Sequence, residues 1–122
     1  MPETILVVED TVDTRELLHL YLTKEDFTVI IAADGGEGLY RAKSDQPDLI
    51  ITDINMPNLS GLDMIKQLRE EPESGKIPII ALTAYGKDFS EQAMSAGANE
   101  TMQKPFEFDA LVALVKSLLK QP

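Results

Sequence analysis

Short apolar runs alternate along the chain with stretches in which apolar residues recur every three or four positions. The runs are residues 5–8, 27–32, 49–52 and 79–83, with a weaker one at 100–103. Runs this short and this rich in Ile and Val predict strands buried on both faces. Between them, Leu17, Leu18, Tyr21 and Leu22 fall at helical spacing, as do Leu62, Ile65 and Leu68. A longer stripe comprises Phe108, Leu111, Val112, Val115, Leu118 and Leu119. A further helix is expected over 37–43, although it is poorer in apolar residues. Asp13 with Glu16, and Asp34 with Glu37, resemble capping boxes with Asp in place of Ser or Thr, and Ser60 is a natural N-cap for the third helix.

Strand and helix alternating five times predict an α/β fold: a doubly wound, five-stranded parallel sheet with helices on both faces and right-handed crossovers. The first and third strands are the most continuously apolar and are expected at its centre. The length of 122 residues fits one domain, 1–122, long enough to bury roughly two-thirds of its unfolded surface.

Composition narrows the function. The formal charge is -10, from 21 acids against 11 bases, so phosphate backbones repel the chain and direct nucleic-acid binding is not expected. No apolar run approaches the ~18 residues of a membrane span, and MPET lacks the pattern of a signal peptide. A cytoplasmic protein is the expectation. Cysteine is absent, which excludes disulfides and thiol chemistry.

The candidate chemistry lies just beyond the strands. In open α/β sheets, ligands bind outside the carboxyl ends of the strands, where strand order reverses. Glu9 and Asp10 follow the first strand and Asp53 the third. Thr83 ends the fourth, before Ala84, and Lys104 follows the fifth. Each alone is ordinary: an acidic pair in a loop is usually a solvated turn. Together they gather three carboxylates, a hydroxyl and an ammonium into one crevice. Crowded carboxylates repel one another, and a hard divalent cation such as Mg2+ relieves that repulsion. Such a site suits phosphoryl transfer to a carboxylate, with Asp53 the expected nucleophile and Glu9 and Asp10 the metal holders. The Thr83 hydroxyl, the Ala84 backbone N–H and Lys104 are available for the phosphoryl oxygens.

The chain resembles the CheY-like receiver domain of bacterial two-component response regulators. The matching stretches are VVED (7–10), DLIITDINMPNLSG (48–61), PIIALTA (78–84) and KPF (104–106). The resemblance implies strand order 2-1-3-4-5. It implies that Asp53 accepts a phosphoryl group from a phosphohistidine on a sensor histidine kinase or phosphotransfer protein. It also implies Mg2+ held by Asp10, Asp53 and the Asn55 carbonyl, with Glu9 acting mainly through water. Pro57 and Gly61 would shape the loop after the acceptor. The domain would assist its own phosphorylation and dephosphorylation without being a turnover enzyme. It would signal to a downstream protein through altered contacts, as a monomer or a phosphorylation-dependent dimer.

One position departs from the pattern. The family usually has Tyr or Phe three residues before the motif lysine, where Thr101 stands. The leading expectation is a single-domain response regulator; because that aromatic half of the switch is missing, a relay intermediate or phosphate sink is the alternative. A receiver cut from a longer regulator is a further alternative. Tyr85 is expected either to shield an acyl phosphate from water or to pack on the surface. A flavodoxin-like domain fits poorly, because Glu9 and Asp10 would repel the phosphate of FMN. A haloacid-dehalogenase-like phosphatase needs an acid where Asn55 stands. A silent, unphosphorylated receiver has no support in these residues. His19, the sole histidine, is expected to be an exposed helix residue, and Met56, Met64, Met94 and Met102 to be core and loop packing.

Overall fold

The computed structural model describes residues 2–56, 59–84 and 87–120. The elements run β1 (Thr4–Val8), α1 (Val12–Lys24), β2 (Thr28–Ala32), α2 (Gly35–Asp45), β3 (Leu49–Asp53), α3 (Gly61–Glu70), β4 (Ile79–Thr83), α4 (Lys87–Ala96), β5 (Glu100–Gln103) and α5 (Phe108–Leu119). The strands form one parallel sheet in the order β2-β1-β3-β4-β5. β3 lies at the centre beside β1, as their apolar runs predict. The edge strands β2 and β5 are only partly buried.

Alternate side chains of each strand point to opposite faces and build two cores. Leu6, Val8, Ile50, Ile79 and Ala81 pack with Met64, Ile65 and Leu68 of α3 and Ala93 of α4. Ile5, Val7, Leu49, Ile51, Ile80 and Leu82 pack with Leu18 and Leu22 of α1 and with Leu111, Val115 and Leu118 of α5. α2 reaches the first core through Gly38, where a Cβ would stand 2.7 Å from Met64 Sδ and 2.9 Å from Val8 Cγ2.

Two helix starts follow the sequence reading and one does not. Asp34 caps α2, its Oδ1 accepting from the Glu37 N–H at 2.8 Å, while Glu37 reaches back to the Ala33 N–H. Ser60 caps α3 through the Asp63 N–H at 3.2 Å. Asp13, in contrast, is not the cap of α1 but lies inside its first turn. The N-cap is Thr11 and the helix starts two residues earlier than an Asp13 cap would place it, at Val12, where bonds onto Glu9 close the preceding turn.

The apolar stripes are narrower than expected. α1 lies over β1 and the β2 edge and buries only Leu18 and Leu22, leaving Leu17 and Tyr21 exposed. Tyr21 stacks on Phe108, with ring centroids 4.3 Å apart. α4 buries only Ala93 and Ala96, so Met94 is exposed, whereas Met64 and Met56 are buried and Met102 half-buried. His19 is exposed, as predicted. Pro57 and Tyr85 lie outside the described residues.

At the amino end of the sheet, a half-buried arginine ties the strand entries together. Arg69 Nε donates to the Gly97 carbonyl at 2.9 Å, Nη1 to the Ile77 carbonyl at 2.7 Å, and Nη2 to Asn99 Oδ1 at 2.8 Å. Asn99 Oδ1 also accepts from the Ile79 N–H at 2.8 Å, where β4 begins.

Candidate phosphoryl-transfer site

Strand register assembles the site at the opposite, carboxyl end. Val8 pairs with Thr52, so Glu9 and Asp53, one step on, fall side by side. Asp53 pairs with Leu82, which sets Thr83 one step beyond it. Thr83 pairs with Gln103, which carries Lys104 just past the sheet, its N–H bonded to the Thr83 carbonyl at 2.8 Å. All the strand-end residues singled out in the sequence meet at this rim.

The carboxylates of Glu9, Asp10 and Asp53 each offer an oxygen within 4.8 Å of the others. Glu9 has no exposed surface and Asp53 only 6%, while Asp10 is more open. Lys104 Nζ lies 2.7 Å from Asp53 Oδ2 and 3.3 Å from Glu9 Oε2. Asp53 Oδ1 accepts from the Asn55 N–H at 3.1 Å. Asn55 itself is exposed, and the Gly61 N–H, bonded to the Ile54 carbonyl at 3.1 Å, closes the loop behind it. Half-buried Ala84 follows Thr83 at the rim. Thr83 Oγ1 is buried and has no hydrogen-bond partner among the described residues. A buried hydroxyl without a partner is costly, and at this rim it is a donor available to an incoming oxygen.

Burial raises the Glu9 carboxyl above its ordinary value, and the Asp53 charge adds to the effect. The Thr11 N–H and Lys104 pull it back only in part. Burial works against the charged form of Lys104, but its bonds to Asp53 and Glu9 outweigh that and raise it overall. The lysine is therefore firmly cationic and serves as the counter-ion of a crowded anionic site.

The sequence reading overlooked Arg15, whose Nη1 donates to the Glu9 main-chain carbonyl at 3.0 Å. A cation this near a helix start opposes the helix dipole, and that mismatch was the available signal.

A doubly wound parallel sheet with acids, a hydroxyl and a lysine at its carboxyl rim defines a class of phosphoryl-accepting signalling domains. The chain belongs to the response regulator receiver domain family, whose sequence profile matches residues 5–116. It is 37% identical over 122 residues to the alkaline phosphatase synthesis transcriptional regulatory protein PhoP of Bacillus subtilis, covering 99% of this chain and 50% of PhoP. The chain thus spans about half the length of most of the curated relatives it matches. A putative response regulator from Chloroflexus aurantiacus superposes with a TM-score of 0.95 at 35% identity, covering 99% of this chain and 100% of that one. The receiver domain of the Pseudomonas aeruginosa sensor histidine kinase PA1611 superposes with a TM-score of 0.92 at 26% identity, covering 99% and 100%. That structure has a magnesium ion coordinated in its active-site cleft. Among the described residues of the present chain, no helix is long and apolar enough to cross a membrane.

Proposed function

We propose that this domain is a phosphorylation switch in which Asp53 accepts a phosphoryl group from a phosphohistidine of a sensor kinase or phosphotransfer protein. The observation that carries this reading is the setting of Asp53: nearly buried, bonded to Lys104, and one register step from Thr83, whose buried hydroxyl has no partner among the described residues. An Asp53 carboxylate oxygen attacks phosphorus and the bond from phosphorus to the imidazole nitrogen breaks. The nitrogen keeps the electron pair, and an acyl phosphate forms on Asp53. Lys104 then exchanges its Asp53 oxygen for a phosphoryl oxygen, and Thr83 and the Ala84 N–H donate to the others. Water attack on the same phosphorus later releases phosphate and restores the carboxylate.

The three carboxylates fit a hard divalent cation. As the family resemblance implies, Asp10, Asp53 and the Asn55 carbonyl would hold Mg2+, with Glu9 acting mainly through water. Bound there, Mg2+ supplies charge neutralisation for the phosphoryl oxygens. The domain promotes its own modification and reversal without turning over a separate substrate, and its output is altered contact with a downstream protein. Thr101, half-buried in β5 and paired with Ala81, cannot serve as an aromatic rotor, which favours a relay or sink role as the second reading.

The test is intact mass after incubation with acetyl phosphate and Mg2+. One added phosphoryl group on the wild type, and none on Asp53→Asn, is the expected result. No added mass, even with candidate kinases supplied, overturns the reading in favour of a silent receiver.

A further inference from the structure

We infer that Arg15 is a positioning residue for the cation site: by holding the peptide between Glu9 and Asp10, it sets where the Asp10 carboxylate points. The inference rests on the Mg2+ site proposed above.

The turn from β1 into α1 must present two consecutive acids in different ways. Glu9 is fixed at every polar atom. Its N–H donates to the Ala32 carbonyl at 3.0 Å, Oε1 accepts from the Thr11 N–H at 3.1 Å, and Oε2 accepts from Lys104 at 3.3 Å. Asp10 is different: among the described residues, no hydrogen bond holds its carboxylate. Its placement therefore depends on its backbone, and the preceding carbonyl, that of Glu9, is the atom Arg15 grips at 3.0 Å.

Local structure explains why such a grip is needed. Thr11, the N-cap of α1, makes no side-chain cap bond, so the usual fixing of a helix entry is absent. The Arg15 N–H makes the first bond of the helix, to the Thr11 carbonyl at 3.0 Å, so its side chain starts one turn above the site. From there the guanidinium reaches back to the strand end. A cation at this helix end is disfavoured by the dipole, and Arg15 forms no ion pair among the described residues. Among the described residues, the hydrogen bond to the Glu9 carbonyl is thus the one bond its guanidinium makes. Groups that orient metal-holding residues in this way affect metal affinity without touching the metal.

A competing role has the opposite sign. If Arg15 acted only as a positive charge beside the acids, it would repel a cation, and removing it would tighten Mg2+ binding. The experiment is calorimetric titration of Mg2+ into wild type, Arg15→Met and Arg15→Lys. Met keeps the apolar stem but neither donor nor charge, and Lys keeps both in another shape. Expected is Mg2+ binding weaker by about tenfold in Arg15→Met and largely recovered in Arg15→Lys. The deficit of Arg15→Met in acetyl phosphate labelling should narrow as Mg2+ is raised. Equal or tighter binding by Arg15→Met overturns the inference while leaving the site intact. A wild-type chain that binds no Mg2+ overturns the proposed metal site and this inference together.

Discussion

Glu9 is a carboxylate sealed from solvent beside a second acid, and its protonation bears on stability. Its folded value is raised by burial and by Asp53, while in the unfolded chain it returns to the ordinary value. Between the two, the folded state binds the proton more tightly. This contribution to stability is therefore complete below the ordinary glutamate value and is lost as pH rises through the raised one. Without metal, and relative to a Glu9→Gln variant, wild type should lose melting temperature as pH rises above the ordinary glutamate value. A constant difference between the two melting curves in EDTA across that range would contradict this. At this scale the sequence is informative wherever a residue follows a strand: Glu9, Asp10, Asp53, Thr83 and Lys104 meet because parallel register brings strand ends together. Arg15 and Arg69 escape notice because their partners are mostly main-chain carbonyls, which leave no mark in the order of residues.

Elements carry a second class of constraint, seen best where β3 hands over to α3. A Cβ at Gly61 would overlap the Asp53 carbonyl oxygen and crowd Ile54 Cα, both main-chain atoms that cannot rotate away. Gly61→Ala should therefore destabilise the domain by about 1–3 kcal/mol, measured by urea unfolding. A variant as stable as wild type would mean that the loop accommodates a methyl group without strain. Element positions are largely legible in the sequence, including the weak run that becomes β5. Helix faces are less so: Leu17 and Tyr21 fall at helical spacing and Met94 is expected in packing, yet all three are exposed. How wide a stripe a helix buries depends on where it sits over the sheet, which periodicity along one segment does not encode. The Asp13 misreading has a related cause, since the start of α1 is decided by bonds to Glu9 rather than by a cap.

For the whole molecule, the balance of charge and metal sets the response. A chain with a formal charge of -10 that gathers three carboxylates at one rim should be stabilised by a cation bound to the folded state alone. Mg2+ at a hundredfold excess over its Kd should add about 2.7 kcal/mol, read as a rise in melting temperature. Asp53→Asn should reduce that rise by removing a ligand charge, and an unchanged wild-type curve at millimolar Mg2+ would refute the metal site. The two ends of the sheet also differ in what they tolerate. At the amino end, Arg69 and Asn99 tie β4, β5 and the end of α4 with neutral acceptors and no acids. Groups this far apart and sharing no partner contribute nearly independently to stability. A substitution at the carboxyl rim should therefore change stability by nearly the same amount whether or not the far knot is intact. The distance between knot and rim thus lets the chemistry at one end be altered without loosening the other.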